Sequence, residues 1–487
     1  MRSNSTNIPK MQTVGFVIIY TIIFALIVTK AFSLPITHDE AWTVKYLKYS
    51  VWDIMMYPDA WPNNHILNTL LTKFSCSIFG VHDWSVRIPN LLFFPIYSWG
   101  VYRFLKHVAG KQLFMFLPAA MLFVISPYFL DFFGLCRGYG ISSALTMLSL
   151  SFLVTGFMHR NNRHIWYSVL TAIIASYANF TVLMYCLGAL STAGIYFMIH
   201  RKNWKACLKY WLVLLVLFGV YVAIIAVPII KMKSTGQFVH WTSKGFYDET
   251  IFWLIQKSLS DSRVFTRPEW ISTMVLVTTI LFWIFGLILL FRFRLKREAF
   301  KQPLIIVGMI LLFTVLVNLV QTNVLGDPNL NGRTALFLLP IYTSFMVTAL
   351  MFVPKGKYKG VGLALAGLIV LVVIQHQTTA TRMKSFKEWR YDAHTFEVID
   401  YIKKDSGGDA SLQTYWMYYN SFDFYRRYDQ LNWLKMDPYL TEINSNSKAD
   451  YYYVFEDEVP FLESDYEIVK TFEGGHTLMK RRKKALS

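Results

Sequence analysis

The sequence predicts an all-α polytopic membrane protein that ends in a small soluble α/β domain. Apolar side chains make up 54% of its 487 residues, whereas charged ones make up only 16%. Apolar runs of about 20 residues recur along the first 380 positions, and a helix of that length crosses a hydrocarbon core about 30 Å thick. Trp and Tyr flank many of these runs, as expected where helices pass the membrane surface.

The distribution of charge excludes a nucleic-acid-binding protein. Residues 1–379 contain 32 Lys or Arg and 12 Asp or Glu, whereas residues 380–487 contain 16 and 18. The net charge of +18 therefore comes from the membrane region, where a basic excess reports topology. No basic domain stands apart from the apolar runs, as one that binds nucleic acid would.

We predict eleven membrane spans with the N-terminus in the cytoplasm and the C-terminus outside. In this topology the cytoplasmic loops and the N-terminal tail carry 19 basic residues and one acid, Glu298, as the positive-inside rule favours. Merging 164–199 into one span would break this alternation, so two helices are predicted there. The predicted spans are 12–33, 87–106, 112–133, 139–158, 164–178, 180–199, 208–230, 271–291, 302–322, 334–353 and 360–378.

Two domains are predicted: a transmembrane domain, 1–379, with long outer loops at 34–86 and 231–270, and a soluble domain, 380–487, on the outer face. In the first loop "NHILNTLLTKFSCSIFG" has helical periodicity but is too short to span, which predicts a helix lying in the membrane interface. In the tail "DAHTFEVIDYIKK" predicts an amphipathic helix. The segments "SLQTYW", "YYYVFE", "YEIVKTF" and "HTLMKRR" predict short strands.

Two adjacent acids, Asp39 and Glu40, open the first outer loop within "LPITHDEAW". A solvated loop or a helix N-cap would explain them, and so would a catalytic base. Other polar side chains on the same predicted membrane face favour a site that handles a polar group carried on a lipid. They are Asn64, His65, Arg137, Tyr139, Arg263, Arg267 and Arg333.

The order of these motifs resembles the GT-C superfamily of membrane glycosyltransferases, in particular the protein-mannosyltransferase and lipid A aminoarabinose-transferase-like group. The resemblance rests on the Asp39-Glu40 pair after the first span and on "NHILNTLL…FGVHDWSVRIPNLL" leading into the second. It rests also on Arg137-Gly-Tyr139 after the third span and on "GR…LFLLPIY" at a late span. This chain has "PNNH" where many relatives have a His-Pro-Pro or Lys-Pro-Pro turn, a departure that bears on His65.

The resemblance implies a multi-pass protein of the bacterial inner membrane that acts on the periplasmic side. It implies transfer of a hexose or pentose, with inversion, from a polyprenyl-phosphate donor to a hydroxyl of a glycolipid, glycan or protein. Asp39, the family-matched acid, is the expected general base, and Glu40 is the second candidate.

Four arginines are candidates to bind the donor phosphate, because a guanidinium group meets phosphate with a planar fork of donors. Arg137 and Arg333 come first, since both lie at predicted span boundaries. Arg263 and Arg267 follow, with a solvated loop as the alternative. For Arg137 and Arg333 the alternative is an interfacial anchor.

The sugar is expected to contact His65, Asn64, Tyr139 and Trp241, although anchoring at the interface is the alternative for Trp241. No metal or other cofactor is expected, because close His/carboxylate spacing is absent from the sequence. The alternative is a divalent ion held by His65 with Asp39.

A transporter or flippase of lipid-linked glycans is the competing function. Such a protein would show charged or broken helices near mid-membrane and paired halves, and the sequence contains neither. An acyl- or phosphoethanolamine-type transferase would need a Ser/His or metal constellation, which the sequence also lacks.

Overall fold

Helices make up most of the chain. The computed structural model describes residues 9–59, 61, 63–109, 113–200, 203–234, 245–261, 263–292, 298–351, 359–439, 441–442 and 447–482. The α-helices are α1 Lys10–Ser33, α2 His38–Lys45, α3 Val51–Met55, α4 Ile66–Phe79, α5 Asp83–Val108, α6 Phe116–Leu122, α7 Pro127–Asp131, α8 Gly138–His159, α9 Asn162–Ala178, α10 Leu183–His200, α11 Trp204–Ser234, α12 Trp253–Leu259, α13 Pro268–Arg292, α14 Pro303–Asn323, α15 Leu338–Leu350, α16 Lys359–Ala380, α17 Thr395–Ser406 and α18 Trp416–Tyr428.

Seven helices in the described ranges are long and apolar enough to cross a membrane. They are Lys10–Ser33, Gly138–His159, Phe180–His200, Trp204–Ser234, Glu269–Arg292, Pro303–Asn323 and Gly360–Ala380. In Glu269–Arg292 the protein buries 0% of the most apolar 18-residue window. Apolar surface on this scale is stable against hydrocarbon and unfavourable against water, so the chain is an integral membrane protein.

The helices agree with the predicted spans at residues 164–199 and differ from them at residues 112–133. Residues 164–199 form two helices, α9 and α10, separated by the short 3₁₀ turn Phe180–Val182, as predicted. The predicted span 112–133 is not one continuous helix, because it contains the separate helices α6 and α7. Ser126 caps α7, and Pro127 at the first position of α7 has no N–H with which to continue α6. The total of eleven spans and the cytoplasmic N-terminus stay predictions.

The chain forms two compact units, each built from separate segments. The first unit comprises Met1–Val28, Tyr49–Leu71 and Pro89–Thr381. The second unit comprises Thr29–Lys48, Thr72–Ile88 and Arg382–Ser487. The tail therefore shares its unit with two segments of the predicted outer loop 34–86. The predicted domain limits, 1–379 and 380–487, stay predictions.

Helix α8 is the most buried membrane helix of the first unit, with 94% of its most apolar window covered by protein. Small residues on α8 let its neighbours approach closely, and one of its hydroxyl groups joins two neighbouring helices. Ser149 donates to the carbonyl of Ser168 on α9 at 2.7 Å, and Tyr185 of α10 donates to Ser149 at 3.0 Å. These contacts fix the helix whose first residues carry the "RGYG" motif.

A mixed five-stranded sheet lies in the second unit. Its strands are β1 Ala410–Thr414, β2 Leu434–Met436, β3 Tyr451–Phe455, β4 Tyr466–Phe472 and β5 His476–Arg481, in the order β2-β1-β3-β5-β4. Strand β1 pairs in parallel with β2 and β3, whereas β5 pairs antiparallel with β3 and β4. The predicted helix, α17, and the four predicted strands, β1, β3, β4 and β5, are confirmed.

The sequence analysis missed helix α18, which connects β1 to β2. Its segment, "WMYYNSFDFYRRY", is rich in aromatic residues, a composition that favours strands. In the structure Tyr418, Phe422 and Tyr425 are each buried, and their spacing places them on one face of a helix. Tertiary packing has therefore overridden the local preference.

Candidate active site

A cavity of about 720 Å³ lies inside the first unit. Pockets of about 300–1,000 Å³ are typical of sites for small molecules. Its walls are mostly apolar and come largely from three helices. The apolar lining includes Leu183, Met184 and Leu187 of α10, Ile229 and Met232 of α11, and Phe313, Leu316, Val317 and Val320 of α14.

Three of the residues predicted to contact substrate line this cavity: Asn64, His65 and Tyr139. The rings of His65 and Tyr139 meet edge to face, with their centroids 4.9 Å apart. The side chain of Asn64 donates to the carbonyl of Ile54 at 3.1 Å and accepts from Thr69 at 2.9 Å. The polar corner is therefore held by hydrogen bonds and ring packing before any substrate binds.

Gly138 makes this corner sterically feasible. A Cβ atom at position 138 would lie 2.1 Å from the carbonyl oxygen of Ala178 and 2.9 Å from the Cβ of His65. Both distances are shorter than real Cβ atoms tolerate. Gly138, the first glycine in "RGYG", therefore serves close packing of α8 against His65 and the end of α9.

Arg137, a predicted phosphate-binding residue, immediately precedes α8 and has extended backbone angles. Its side chain is 1% exposed. One guanidinium nitrogen donates to Asn63 at 3.2 Å, and the guanidinium carbon lies 5.9 Å from the centre of the Tyr139 ring. Arg137 is thus packed beside Tyr139, which lines the cavity, and beside Asn63, the neighbour in sequence of the cavity-lining Asn64.

A second polar group of the cavity was missed by the sequence analysis. Lys233, at the end of α11, pairs with Asp327 at 3.0 Å, and Gln321 of α14 donates to the same carboxylate at 3.1 Å. All three residues line the cavity. The partners lie 94 positions apart in the chain, so no local pattern marks them as neighbours.

The other predicted phosphate-binding residues lie elsewhere in the first unit. Arg333 is half-buried in the 3₁₀ turn Gly332–Ala335 that precedes α15. Arg263 and Arg267 are exposed, and Arg267 borders an open depression with Trp270 and Phe265. Among the residues described, the cavity lining includes neighbouring Thr334 but none of the four predicted arginines. Trp241 lies outside the described residues.

Asp39 and Glu40 lie in the second unit, in the first turn of α2. Thr37 caps this helix, and its hydroxyl and the Glu40 side chain form a reciprocal capping box. The alternative of a helix cap is therefore correct for Thr37 and Glu40, but neither acid is solvated. Asp39 is 7% exposed and Glu40 is fully buried.

Glu40 is bound on both oxygens by Arg87, a residue that the sequence analysis did not single out. The Nε of Arg87 donates to Oε1 at 2.8 Å and Nη2 donates to Oε2 at 2.7 Å. The same guanidinium donates to the carbonyls of Ala31, Leu34 and Pro35.

These contacts separate the roles of the two acids. Glu40 holds the chain between α1 and α2 in place, because its carboxylate joins the helix cap to Arg87. The carboxylate of Asp39 is therefore the better candidate for proton transfer. Asp39 belongs to the second unit, whereas Arg137 and Arg333 belong to the first, so their action on one substrate stays a prediction.

The described residues contain no group of three or more His, Cys, Asp or Glu side chains arranged to hold a metal ion. His65 packs against Tyr139 and Gly138 in the first unit. Metal dependence is therefore a question for experiment.

No family model matches the chain, and no relative is found among curated proteins. The structure is similar to that of ArnT from Cupriavidus metallidurans in the apo state, with 10% sequence identity, a TM-score of 0.46 and coverage of 96% of this chain and 98% of that one. For ArnT bound to undecaprenyl phosphate the identity is 10%, the TM-score 0.47 and the coverage 98% and 99%.

The structure is also similar to the oligosaccharyltransferase AglB from Archaeoglobus fulgidus in complex with an inhibitory peptide and a dolichol-phosphate. Here the identity is 12%, the TM-score 0.44 and the coverage 98% of this chain and 75% of that one.

Proposed function

We propose that this chain is an inverting membrane glycosyltransferase that moves a sugar from a polyprenyl-phosphate donor to a hydroxyl acceptor outside the cytoplasm. The observation that carries the proposal is the cavity of about 720 Å³ in the first unit. Its walls are mostly apolar, and its polar side chains include two contacting pairs, His65 with Tyr139 and Lys233 with Asp327. A ligand with a long apolar chain and a polar head matches that lining.

The apolar wall suits an isoprenoid chain for an energetic reason. Burying apolar surface contributes about 25 cal/mol per Å², and an isoprenoid offers apolar surface along its whole length. The exposed side chains at the edge of the wall, such as Leu316 and Val320, are also apolar. A lipid carrier can therefore enter the cavity from hydrocarbon without crossing a charged surface.

The proposed reaction requires a base and a stabilised leaving group. The acceptor hydroxyl gives its proton to the carboxylate of Asp39 while its oxygen forms a bond to the anomeric carbon. The bond from that carbon to the phosphate oxygen breaks, and the lipid phosphate leaves with the electron pair. A general base contributes about 10²–10⁴ in rate. Attack opposite the leaving group inverts the anomeric configuration.

The growing charge on the phosphate needs cations. Arg137 and Arg333 remain our candidates, because guanidinium groups form bidentate pairs with phosphate. Arg137 is supported by its packing beside Tyr139, at 5.9 Å from the ring. Arg263 and Arg267 are weaker candidates because both are exposed. His65, Asn64 and Tyr139 are proposed to contact the sugar.

We propose that the protein belongs to the bacterial inner membrane and that transfer needs no metal ion. Transfer that continues in excess EDTA would support metal independence. Transfer that stops and recovers with added Mg²⁺ or Mn²⁺ would contradict it.

A flippase of lipid-linked glycans is the second candidate, because the same cavity suits its substrate. The two functions differ in whether the sugar–phosphate bond breaks. Purified protein in lipid nanodiscs would be given a panel of undecaprenyl-phosphate hexoses and pentoses together with extracted envelope glycolipids. A transferase releases undecaprenyl phosphate and yields a heavier acceptor by mass spectrometry. Movement of intact donor across proteoliposomes, without release, would favour the flippase.

The cavity itself is tested by filling it. Leu187→Trp places a large ring in the cavity wall, whereas Leu281→Trp changes a residue of α13 that is 56% exposed. We expect undecaprenyl phosphate to raise the melting temperature of the unmodified protein and of Leu281→Trp but not of Leu187→Trp. Equal stabilisation of both variants would place the lipid outside the cavity and remove the main support for the proposal.

A further inference from the structure

The second unit places a third buried carboxylate at the start of α2. Asp392 is 2% exposed and ends the 3₁₀ turn Arg390–Asp392 before α17. One of its oxygens accepts the backbone N–H of His38 at 2.8 Å. The other accepts the hydroxyl of Ser421, on α18, at 2.6 Å. A single side chain of the tail thus joins the first residue of α2 to α18.

Further contacts fix the same helix on α18. The Nδ1 atom of His38 lies 2.8 Å from the carbonyl oxygen of Met417, and Lys45 donates to Asn420 at 2.6 Å. His38 and Lys45 lie seven positions apart, so they occupy one face of α2 and hold both of its ends. Asp39 lies between them, directly after the residue whose N–H binds Asp392.

The contact with Asp392 acts one residue before Asp39, on the N–H of the peptide bond between Thr37 and His38. The first N–H groups of a helix have no partner within the helix, and an acceptor that binds one of them sets where the helix begins. An ionised carboxylate is a strong acceptor at this end, because the helix dipole is positive there. The position of the Asp39 side chain therefore depends on a residue 353 positions further along the sequence.

Asp392 is held at this position in a buried setting. Burial raises the pKa of Asp392, hydrogen bonds from Ser421 and His38 oppose the rise, and the charges of Asp39 and Glu40 add to it. The two hydrogen bonds place one carboxylate oxygen on α2 and the other on α18.

Other titratable groups face Asp392 from the tail. Tyr418 of α18 and Tyr453 of β3 both interact with its charge, and burial raises the pKa of each phenol. Both phenols are therefore neutral at physiological pH. His476 lies beside Tyr418, with its Nδ1 2.7 Å from the hydroxyl, and burial lowers its pKa to about 4. It is neutral as well, so these three groups bring no charge to Asp392.

We propose that Asp392 is a positioning residue for Asp39: it holds the first turn of α2, and with it the Asp39 side chain, through the N–H of His38. The inference rests on the proposed function, in which Asp39 accepts the proton of the acceptor hydroxyl. It gives the tail a part in catalysis without a substrate contact.

The acceptor is tested with Asp392→Asn in the transfer assay, with rates expressed per folded protein. A neutral amide oxygen accepts a hydrogen bond less strongly than a carboxylate, so we expect kcat to fall about 10–100-fold, as small misplacements of a catalytic group do, with KM nearly unchanged. Asp423→Asn removes a charge of α18 that Arg426 and Arg427 balance, so its kcat should stay near that of the unmodified protein.

The backbone hydrogen bond is tested separately, which keeps the proposal open to refutation if Asp392→Asn does not fold. His38→Ala keeps the N–H and loses the ring, whereas His38→Pro loses both. Proline is tolerated at the first position of a helix, and Thr37 already has the extended backbone that precedes proline. We expect kcat of His38→Pro to be about tenfold below that of His38→Ala, the loss of one charge-assisted hydrogen bond.

Two results would overturn the inference. One is a kcat of Asp392→Asn that equals that of the unmodified protein, or that falls equally in Asp423→Asn. The other is equal kcat in His38→Pro and His38→Ala. If Asp39→Asn abolishes transfer while either result is found, the inference fails and the proposed function stands. If Asp39→Asn retains full transfer, the assignment of the base itself fails.

Discussion

Arg87 and Glu40 form a doubly hydrogen-bonded ion pair in which neither side chain is exposed to solvent. The pair lies 47 positions apart in sequence and fixes the turn from α1 into α2. A buried charge that loses its partner costs more than the pair contributes, because the remaining charge stays in a medium of low dielectric.

Replacing Arg87 should therefore destabilise the protein strongly. We expect Arg87→Met to lower the free energy of unfolding by about 3–5 kcal/mol, measured by thermal unfolding in detergent. Arg160→Met is the matched control, because Arg160 and Glu298 form a pair whose side chains are 46% and 59% exposed. An exposed pair contributes about 0–1 kcal/mol. Equal losses in both variants would contradict the assigned role of Arg87.

Substitutions of Asp39 and Glu40 should affect different properties, the transfer rate and the melting temperature respectively. We expect Asp39→Asn to lower the transfer rate by about 10²–10⁴ while leaving the melting temperature nearly unchanged. Glu40→Gln should lower the melting temperature, since it removes the charge that faces Arg87, yet the folded fraction should keep its transfer rate. The measurements are steady-state transfer and thermal unfolding on the same preparations. The reverse pattern would exchange the roles of the two residues.

Gly138 should not accept a side chain. A methyl group there would meet the carbonyl of Ala178 at 2.1 Å and the Cβ of His65 at 2.9 Å. Overpacking of this kind costs about 1–3 kcal/mol, and the shift of His65 should also weaken the binding of undecaprenyl phosphate. Gly286→Ala is the control, because nothing lies within 4 Å of a Cβ at that position of α13. Binding curves and melting temperatures that match for the two variants would show the packing argument to be mistaken.

The stability of the second unit should depend on pH through His476. Burial lowers the pKa of His476 to about 4, with the charge of His394 as a further cause. The unfolded chain, with an ordinary pKa of about 6.5, binds the proton first. The contribution of His476 is therefore fully present above about pH 6.5 and is lost as the pH falls toward 4.

The comparison variant is His476→Gln, which is neutral at every pH and can still hydrogen-bond Tyr418. Melting temperatures of the two proteins would be measured at about pH 5 and pH 7. The unmodified protein should lose more stability on acidification than the variant. The raised pKa of Asp392 makes stability fall as the pH rises, which is the opposite dependence. Asp392 is present in both proteins, so its effect cancels when their melting temperatures are compared. Parallel curves would mean that His476 titrates normally in the folded chain.

Local patterns in the sequence predicted the membrane helices, because an apolar run of sufficient length is a property of neighbouring residues. The same holds for strands β3 and β4, whose apolar and β-branched runs end at turn residues. They failed for α18, where the aromatic composition points to a strand and the helix exists because one face packs against the sheet. They failed also for 112–133, where Ser126 and Pro127 break an apolar run.

The candidate site was only partly predictable for a related reason. Asp39, His65 and Tyr139 belong to short motifs that a resemblance can match. Arg87 and Lys233 belong to pairs whose partners, Glu40 and Asp327, are distant in sequence, so their roles become visible only when the chain is folded. The assignment of Glu40 changed most, since an exposed loop acid and a buried ion-pair partner look identical in sequence.

The bond from Asp392 to the N–H of His38 spans 354 positions, and this has a consequence for synthesis at the ribosome. At about 5–20 residues per second, roughly 20–70 seconds pass between the emergence of α2 and that of its acceptor. During this interval the N–H of His38, in the first turn of α2, lacks the carboxylate that accepts it in the folded protein. A polypeptide cut short before the tail would never acquire that partner, and quality-control proteases would meet it as an incompletely assembled substrate.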